Sequence, residues 1–296
     1  MAKQETALVT QGSNELVKAE VATFTGLDLL SGFKEDGPIL GLDISPSDIK
    51  LPRFRLMQPT SLEVTQQKVS AGTFYNAVTG EAVKELPCTL LIKNTSRVMW
   101  DKVFKRGDKP LCRSFDAVRS ADSRRECAKC PDSRWDNKSD SDSKPACNMS
   151  YGWLALSKLE SSMNQPFRII IPGKSVTYTK DFLTQITPKR LPPFAFKVTL
   201  VPEFMQNEKG AFYVIKYRQD GNLAEDLLKS LGWTEQEVKA DPEKAKVFTT
   251  QMKTIWDQYK DMVKSYEELF KQTIEMDMEE TPIVIDDAPI TEGALF

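Results

Sequence analysis

Two neighbouring segments, FAFKVTLVPEF (Phe194–Phe204) and GAFYVIKYR (Gly210–Arg218), indicate the class of fold that this sequence forms. Apolar and polar residues alternate in both, which is the period of a β-strand with one buried face. In the first segment, one face carries only apolar side chains and is expected in the core: Phe194, Phe196, Val198 and Leu200. In the second segment, either of two faces fits a core: Tyr213, Ile215 and Tyr217, or Phe212, Lys216 and Arg218.

The same alternation extends in both directions, from about residue 49 to residue 217. About seven short apolar segments are separated by Pro and Gly, a pattern that favours a β-barrel or sandwich over a parallel α/β sheet. Thr79 and Gly80 lie where a hairpin turn is expected. The sequence therefore predicts a mainly β protein over this range.

Beyond Gly221 the period becomes helical. NLAEDLLKSLGW predicts a short helix that ends near Gly232, and apolar residues at helical spacing predict a long amphipathic helix from about Pro242 to Met276. These apolar residues are Met252, Ile255, Tyr259, Met262, Tyr266 and Leu269. We expect this helix to dock on the barrel or on a copy of itself, with a partner-binding role as the alternative.

The composition excludes several classes of catalytic and metal site. The 296 residues include no histidine, which removes imidazole triads and the commonest metal ligand. Gly173-Lys174-Ser175 resembles the end of a phosphate-binding loop, but Arg168 stands where the loop requires glycine and Val176–Thr179 favour a strand, so a turn is expected. No other carboxylate or nucleophile cluster is evident. We therefore expect a protein that is not an enzyme.

No apolar run is long enough to span a membrane, and the first residues lack the pattern of an export signal. A cytoplasmic location is expected, in the host cytoplasm if a phage encodes the protein. In that reducing compartment five cysteines do not predict disulfides.

Four of the cysteines have the spacing of a zinc site. Cys127 and Cys130 form a C-x-x-C knuckle, and Cys112 and Cys147 flank it in a hydrophilic segment that has little apolar surface to bury. A bound Zn²⁺ would replace the missing core as a structural ion. Unligated surface thiols, a redox pair and an iron–sulfur site are the alternatives, while Cys88 fits an ordinary buried thiol.

Basic and aromatic residues are interspersed through the β-rich region. Residues 168–218 carry nine Lys or Arg and three acids. Aromatic rings on a cationic sheet stack on unpaired bases while Lys and Arg neutralise phosphates. The residues predicted to line a groove for single-stranded DNA are Arg53, Arg55, Lys93, Arg97, Trp100, Lys102, Lys105, Arg106, Lys197, Lys216, Tyr217 and Arg218. The alternative is an ordinary solvated surface.

The C-terminal residues 275–296 carry seven acids and no Lys or Arg, so the rest of the chain is cationic although the whole chain has a net charge of −2. Pro282 and Pro289 and the lack of periodicity predict disorder. Such a tail is a tethered polyanion that competes with nucleic acid for a cationic groove. Asp286, Asp287 and Phe296 are its candidate partner-binding residues, and a tail that only improves solubility is the alternative.

These features together resemble the bacteriophage single-stranded-DNA-binding (helix-destabilising) proteins. The resemblance lies in the basic β-rich body, in Cys112, Cys127, Cys130 and Cys147 interrupting the strands, and in the terminal DDAPITEGALF. It implies an OB-like β-barrel, a structural zinc ion and a non-catalytic role in phage DNA replication, recombination and repair. It also implies that the tail contacts replication proteins such as a polymerase, helicase or primase.

Four regions are expected. They are a flexible arm at 1–22, an OB-like core at 23–221 with a zinc-binding insertion at 102–150, a helical segment at 222–274 and an acidic tail at 275–296. The predicted function is binding and protection of single-stranded DNA, with self-association left open. The alternatives are a zinc-ribbon adaptor in transcription or recombination that binds protein or duplex DNA, and a metal-dependent nuclease.

Overall fold

A computed structural model describes residues 51–101, 110–122, 124–134, 145–208 and 210–280. Its strands are β1 (Arg53–Leu56), β2 (Phe74–Asn76), β3 (Ala82–Val83), β4 (Leu86–Met99), β5 (Cys112–Ser114), β6 (Cys147–Ser157), β7 (Pro166–Ile171), β8 (Phe196–Asn207) and β9 (Gly210–Asn222). Its helices are α1 (Leu62–Thr65), α2 (Ser175–Ile186), α3 (Leu223–Leu231), α4 (Glu235–Ala240) and α5 (Pro242–Glu280).

All nine of these strands belong to one mixed sheet. Its order is β3-β2-β1-β7-β6-β4-β8-β9, and β5 pairs with β4 outside this path. The pairing of β1 with β7 is parallel, whereas the other pairs are antiparallel. The sheet curls into a half-barrel, which confirms the prediction of a mainly β fold with C-terminal helices.

The core packs against one face of the sheet. Trp153 of β6 is fully buried there, and its indole N–H donates to the hydroxyl of Tyr217 at 3.0 Å. The face predicted for β8 is confirmed for Phe196, Val198 and Leu200, which are buried in the core. Phe194 is also buried, but it lies in a 3-10 turn at Pro193–Ala195 before the strand. On β9 the packed face is the one with Ile215 and Tyr217. Alternation therefore identified the core face of β8, whereas the structure chose between the two candidate faces of β9.

The free edge of β9 is hydrogen-bonded by side chains. The Gln58 amide, just beyond β1, accepts from the backbone N–H of Tyr213 at 2.8 Å and donates to its carbonyl at 3.0 Å. The hydroxyl of Ser175 accepts from the backbone N–H of Ile215 at 2.9 Å. The Tyr213 ring packs on Gly72, where an added Cβ would lie 2.5 Å from it. Backbone groups that would otherwise lack partners are thereby satisfied.

The turn expected at the Gly173-Lys174-Ser175 segment is present at Gly173 and Lys174. Residues 175–186 then form helix α2, so the strand expected at Val176–Thr179 was wrong. Its buried residues, Ser175, Val176, Thr179, Phe182 and Ile186, recur at intervals of three or four. This spacing gives the helix one apolar face. Packing of that face outweighs the β-propensity of Val and Thr.

The second half of α5 packs on the sheet unit. Trp256 and Tyr259 contact the ring of Phe194, with ring centroids 5.0 Å and 5.3 Å apart. Phe270 is buried near Gly152 of β6. These contacts confirm the prediction that the amphipathic helix docks on the sheet.

The described chain divides into two compact units, one of residues 51–222 and 256–280 and the other of residues 223–255. In the second unit, α3 ends before Gly232, as predicted, and Thr234 begins α4 with a capping box that it forms with Glu237. Lys244 of α5 lies over the ring of Trp233 at 5.4 Å. Among the described helices, none is long and apolar enough to cross a membrane.

Candidate nucleic-acid interface and cysteine cluster

Three strands converge at the cysteine-rich loop between β4 and β6. Met99, the last residue of β4, pairs with Cys112 of β5 on one side and with Cys147 of β6 on the other. Directly paired residues of neighbouring strands project to the same face of a sheet. The register therefore brings these two cysteines to one face, on either side of Met99.

The Cys127–Cys130 knuckle is held by backbone and side-chain hydrogen bonds. The Cys130 amide donates to the Cys127 carbonyl at 3.3 Å. The Ser133 hydroxyl lies 2.6 Å from the Cys127 carbonyl and 2.8 Å from that of Cys130. Arg97 of β4 then donates from one nitrogen to the carbonyls of Ser133, at 3.4 Å, and Cys147, at 3.3 Å. One guanidinium thus joins the knuckle to β6.

The four thiols lie within electrostatic range of one another. Burial raises the pKa of Cys112, and Cys127 and Cys130 raise it further. Burial also raises the pKa of Cys147 to about 11, where the other three cysteines raise it and Arg97 opposes the increase. Thiolates are therefore unfavourable in this cluster unless a cation accompanies them.

The four cysteines lie close enough to influence one another's ionisation, but they are not arranged as a metal centre. Within the described ranges, no group of three or more Cys, Asp or Glu side chains is arranged to hold a metal ion. All five cysteines are free thiols. The zinc-binding insertion at 102–150 therefore stays a prediction.

A cavity of about 940 Å³ opens beside Cys112 in the same loop. Its lining includes Met99, Cys112, Ser120, Asp122 and three arginines, Arg113, Arg124 and Arg125. The side chains of Arg124 and Arg125 are 83% and 63% exposed, and their acidic neighbours Asp122 and Asp132 lie 3.8 Å and 3.9 Å away. The guanidinium groups of Arg124 and Arg125 are therefore only loosely paired. A guanidinium forms paired hydrogen bonds with phosphate oxygens.

A family model described as Pam3 phage gp34-like protein matches residues 28–254, about three quarters of the chain. The chain belongs to the Pam3 phage gp34-like family. The matched range includes the four clustered cysteines and the arginine-lined cavity. No curated protein and no solved structure matches the chain. The family confirms the phage part of the predicted resemblance.

In this gp34-like chain, three of the predicted DNA-binding cations form ion pairs within the fold. Arg55 pairs with Glu63. Lys216 pairs with Glu203, which raises the Lys216 pKa. Arg218 pairs with Glu85 at 2.7 Å and Asp220 at 2.9 Å, and the hydrogen bonds that it donates to these carboxylates raise its pKa. Phosphates would have to compete with these carboxylates.

Two predicted residues on β4 lie closer to the cysteine loop. Lys93 is exposed, and its ammonium lies 4.3 Å from the centre of the Tyr151 ring. Lys93 and Arg97 alternate with Asn94 and Ser96, so both project to the face that carries Tyr151. Arg97 has the carbonyl contacts described above. This face of β4 is therefore cationic between the core and the cysteines.

The other predicted residues occupy separate positions. Arg53 of β1 is half-buried, and burial followed by the charge of Arg55 lowers its pKa to about 10. Trp100 and Lys197 are half-buried, beyond β4 and on β8 respectively. The predicted set is thus distributed over β1, β4, β8 and β9 rather than gathered on one strand.

Tyr217 is partly buried and its ring packs against the core. Its ring stacks on Phe182 of α2, with centroids 4.8 Å apart and planes 9° apart. Its hydroxyl is held by Trp153 and, at 2.9 Å, by Thr179. The ring is therefore part of the core, and the predicted role in base stacking does not fit this position.

Several predicted site residues lie outside the described residues: Lys102, Lys105, Arg106, Asp286, Asp287 and Phe296. The three cavity arginines, in contrast, were absent from the predicted set. The sequence signal for them was the excess of basic residues over 102–145, twelve against eight acids. Such an excess does not distinguish the members that share a cavity from those that are merely solvated.

Proposed function

We propose that this phage protein binds and protects single-stranded DNA without catalysing a reaction. The observation that carries the proposal is the position of the arginine-lined cavity. It lies in the loop between the first two strands of an OB-like connectivity, where OB-folds bind oligonucleotides.

The connectivity supports an OB-like barrel. Along the chain, β4 is followed by β6, β7, α2, β8 and β9, and these five strands lie in the order β7-β6-β4-β8-β9. An OB-fold is a five-stranded Greek-key barrel that binds ligands with its second and third strands and with the loops after its first and fourth strands. The loop after the first strand is then residues 100–146, and the loop after the fourth is the β8–β9 hairpin.

Both loops have suitable chemistry. The first supplies Arg113, Arg124 and Arg125, which would neutralise phosphates. On the hairpin, the ring of Phe204 is 54% exposed and packs edge-on against Tyr213. Lys174 lies over the neighbouring Phe212 ring at 5.4 Å. Exposed rings beside cations suit unpaired bases, since every base has a face on which a ring stacks.

The biological role that we infer is coating of exposed DNA during phage replication, recombination and repair. The acidic tail would recruit a polymerase, helicase or primase, and it would compete with DNA for the cationic loops. Contacts between copies of the chain along one strand are compatible with this role.

The experiment measures binding of labelled oligo-dT by fluorescence anisotropy over a range of salt concentrations, with a duplex of equal length for comparison. We expect tighter binding of oligo-dT and an affinity that falls as salt rises. The double variant Arg124→Ala/Arg125→Ala should weaken binding and reduce the magnitude of the slope of log K against log salt by about 1.4, or about 0.7 for each lost phosphate contact.

The matched control is Lys239→Ala/Lys264→Ala, which removes two exposed charges from the helices. Its slope should match that of the wild type. Equal slopes for both double variants would contradict the proposed cavity. Equal affinity for duplex and oligo-dT would favour the adaptor alternative.

A further inference from the structure

We propose that the arginine-lined cavity takes one unpaired base of the bound strand, and that Asp122 selects bases with an exocyclic amino group over thymine and uracil. Because this selection acts on a bound strand, it rests on the proposed function and adds a preference among bases to it. Three features support it: the mixed lining of the cavity, the hydrogen bonds that orient the Asp122 carboxylate, and the donors and acceptors of the bases.

Part of the cavity lining is apolar and suits the face of a base. Met99, Pro110 and Leu111 lie there together. The Leu111 backbone N–H donates to the Met99 carbonyl at 2.8 Å, which fixes residue 111 beside the end of β4, and its side chain is 61% exposed. A base that covers this side chain removes apolar surface from water. The cavity volume of about 940 Å³ lies within the range of about 300–1,000 Å³ usual for small-ligand sites, so one nucleotide fits.

Another part of the lining is polar and belongs to a turn that Ser120 and Arg125 close. The Ser120 backbone N–H donates to the Arg125 carbonyl at 2.9 Å, and the Ser120 hydroxyl accepts from the Arg125 backbone N–H at 2.9 Å. The Ala121 N–H donates to the Arg113 carbonyl at 2.8 Å, which ties the turn to β5. The turn therefore holds Asp122 in a defined place in the cavity lining.

The two oxygens of the Asp122 carboxylate have different surroundings. Oδ1 accepts from the Ser120 hydroxyl and, at 3.1 Å, from the Arg124 backbone N–H. Among the described residues, the contact of Oδ2 is with the Arg124 Nε at 3.8 Å, which is longer than a hydrogen bond. The Asp122 side chain is 56% exposed. The hydrogen bond from Ser120 lowers the pKa of Asp122, so the carboxylate is ionised at neutral pH and accepts hydrogen bonds without donating any.

A carboxylate of this kind discriminates between bases by the donors that they present. Cytosine, adenine and guanine each carry an exocyclic amino group, and a carboxylate accepts from the cytosine N4 amino group in direct readout. Thymine and uracil carry the carbonyl oxygen O4 in place of that amino group, and a carboxylate repels it. An amino group that reaches Oδ2 therefore gains a hydrogen bond to a charged acceptor, which is stronger than a bond between neutral groups.

The same turn supplies charge for the adjoining phosphates. Arg124 and Arg125 follow Asp122 by two and three residues, and both line the cavity. A phosphate bound by either guanidinium brings a neighbouring base within reach of Asp122. The phosphate contacts are the same for every sequence, whereas the contact with Asp122 depends on the base.

Anisotropy titrations of the full-length protein compare oligo-dC with oligo-dU of equal length, at mildly alkaline pH where oligo-dC stays single-stranded. Both have the same backbone and a pyrimidine ring, so they differ in the hydrogen-bonding edge of the base. We expect oligo-dC to bind about tenfold more tightly, the gain that one hydrogen bond to a charged acceptor supplies.

Asp122→Asn should abolish this preference, because the amide keeps an oxygen for the bonds from Ser120 and Arg124 but replaces Oδ2 by a donor. Asp132→Asn is the matched control. Its carboxylate lies 3.9 Å from the Arg125 guanidinium but outside the described cavity lining. This variant also removes one acidic charge beside an arginine of the cavity, and it should keep the wild-type ratio of the two affinities.

Equal affinity of the wild type for oligo-dC and oligo-dU would overturn the selection and leave the proposed function standing, whereas no binding of either would overturn both. A wild-type ratio in Asp122→Asn would also overturn it. If that variant fails to fold, oligo-dC made with N4,N4-dimethylcytosine, which lacks the amino hydrogens, decides. It should bind the wild-type protein no more tightly than oligo-dU does, and binding as tight as that of oligo-dC would contradict the amino contact.

Discussion

The hydroxyl of Tyr217 connects three elements of the core. It accepts the indole N–H of Trp153 from β6 and lies 2.9 Å from the Thr179 hydroxyl of α2, while its own ring belongs to β9. Burial raises its pKa well above the ordinary value, so the neutral hydroxyl is the form that makes these contacts. A buried donor without an acceptor is costly.

Replacing Tyr217 by Phe should therefore lower the free energy of unfolding by about 1–3 kcal/mol, because the Trp153 N–H loses its acceptor. Urea denaturation measures the change. Tyr178→Phe is the matched control, since that hydroxyl contacts only the Met205 sulfur at 3.8 Å. Affinity for oligo-dT should stay at the wild-type value in both variants. Unchanged stability in Tyr217→Phe would contradict the structural role of this hydroxyl.

Alternation alone could not assign this role, because an aromatic residue beside Lys216 and Arg218 fits a stacking surface as well as a core. The hydrogen bonds that decide the matter come from β6 and α2, which are distant in sequence. Alternation could not place Arg113, Arg124 and Arg125 in a common cavity either, because that cavity depends on the pairing of β5 with β4. In contrast, the spacing of the four cysteines along the sequence was enough to predict that they lie close together.

Short elements of this chain depend on their caps, as α4 illustrates. The Glu237 carboxylate accepts from the backbone N–H of Thr234 at 2.7 Å and from its hydroxyl at 2.8 Å, and Lys244 donates to it at 3.1 Å. These contacts, the Thr234 hydrogen bonds first, lower the Glu237 pKa from 4.5 to about 2. The cap therefore stabilises α4 fully above pH 4.5, and this contribution is lost as the pH falls toward 2.

Substitution of Thr234 by Ala should raise the Glu237 pKa toward its ordinary value, because the hydroxyl contact is lost and the cap is weakened. An NMR titration of the Glu237 side chain measures the shift. Thr249→Ala serves as the control, since its hydroxyl donates only to the Ala245 carbonyl of its own helix. An unchanged Glu237 pKa in Thr234→Ala would show that the backbone N–H of residue 234 and Lys244, rather than the hydroxyl, set it.

Among the elements, the long helix, the short helix before Gly232 and the hairpin at Thr79–Gly80 followed from sequence periodicity and turn residues. Helix α2 could not be predicted from the sequence, because Val176, Thr177 and Thr179 favour strands locally. Packing of the helix against β9 outweighs this local preference. The parallel pairing of β1 with β7 was also beyond prediction, since residues far apart in sequence form it.

The whole chain separates its charges. The last 22 residues contain acidic side chains and no Lys or Arg, whereas the rest of the chain has a net positive charge. A tethered acidic segment raises the local concentration of negative charge near any cationic surface within reach. Under the proposed function it competes with DNA phosphates.

Deletion of residues 281–296 should increase the affinity for oligo-dT, with a larger gain at low salt because screening weakens the competition at high salt. This truncation leaves α5 complete. Anisotropy titrations at two salt concentrations measure the effect. Asp286→Asn/Asp287→Asn/Glu292→Gln retains the length of the tail and should reproduce most of the gain. Unchanged affinity in both variants would indicate that the tail only improves solubility.

The hydrogen bonds at the margin of β9 have a consequence for crowded assemblies. A protein that coats a strand brings many copies side by side, and an unpaired strand margin would then be a template for intermolecular sheet growth. Gln58 and Ser175 occupy the N–H and carbonyl groups of Tyr213 and the N–H of Ile215, so this stretch of the margin is not available as such a template. Under the proposed function, neighbouring copies on one DNA strand would meet this stretch without extending the sheet through it.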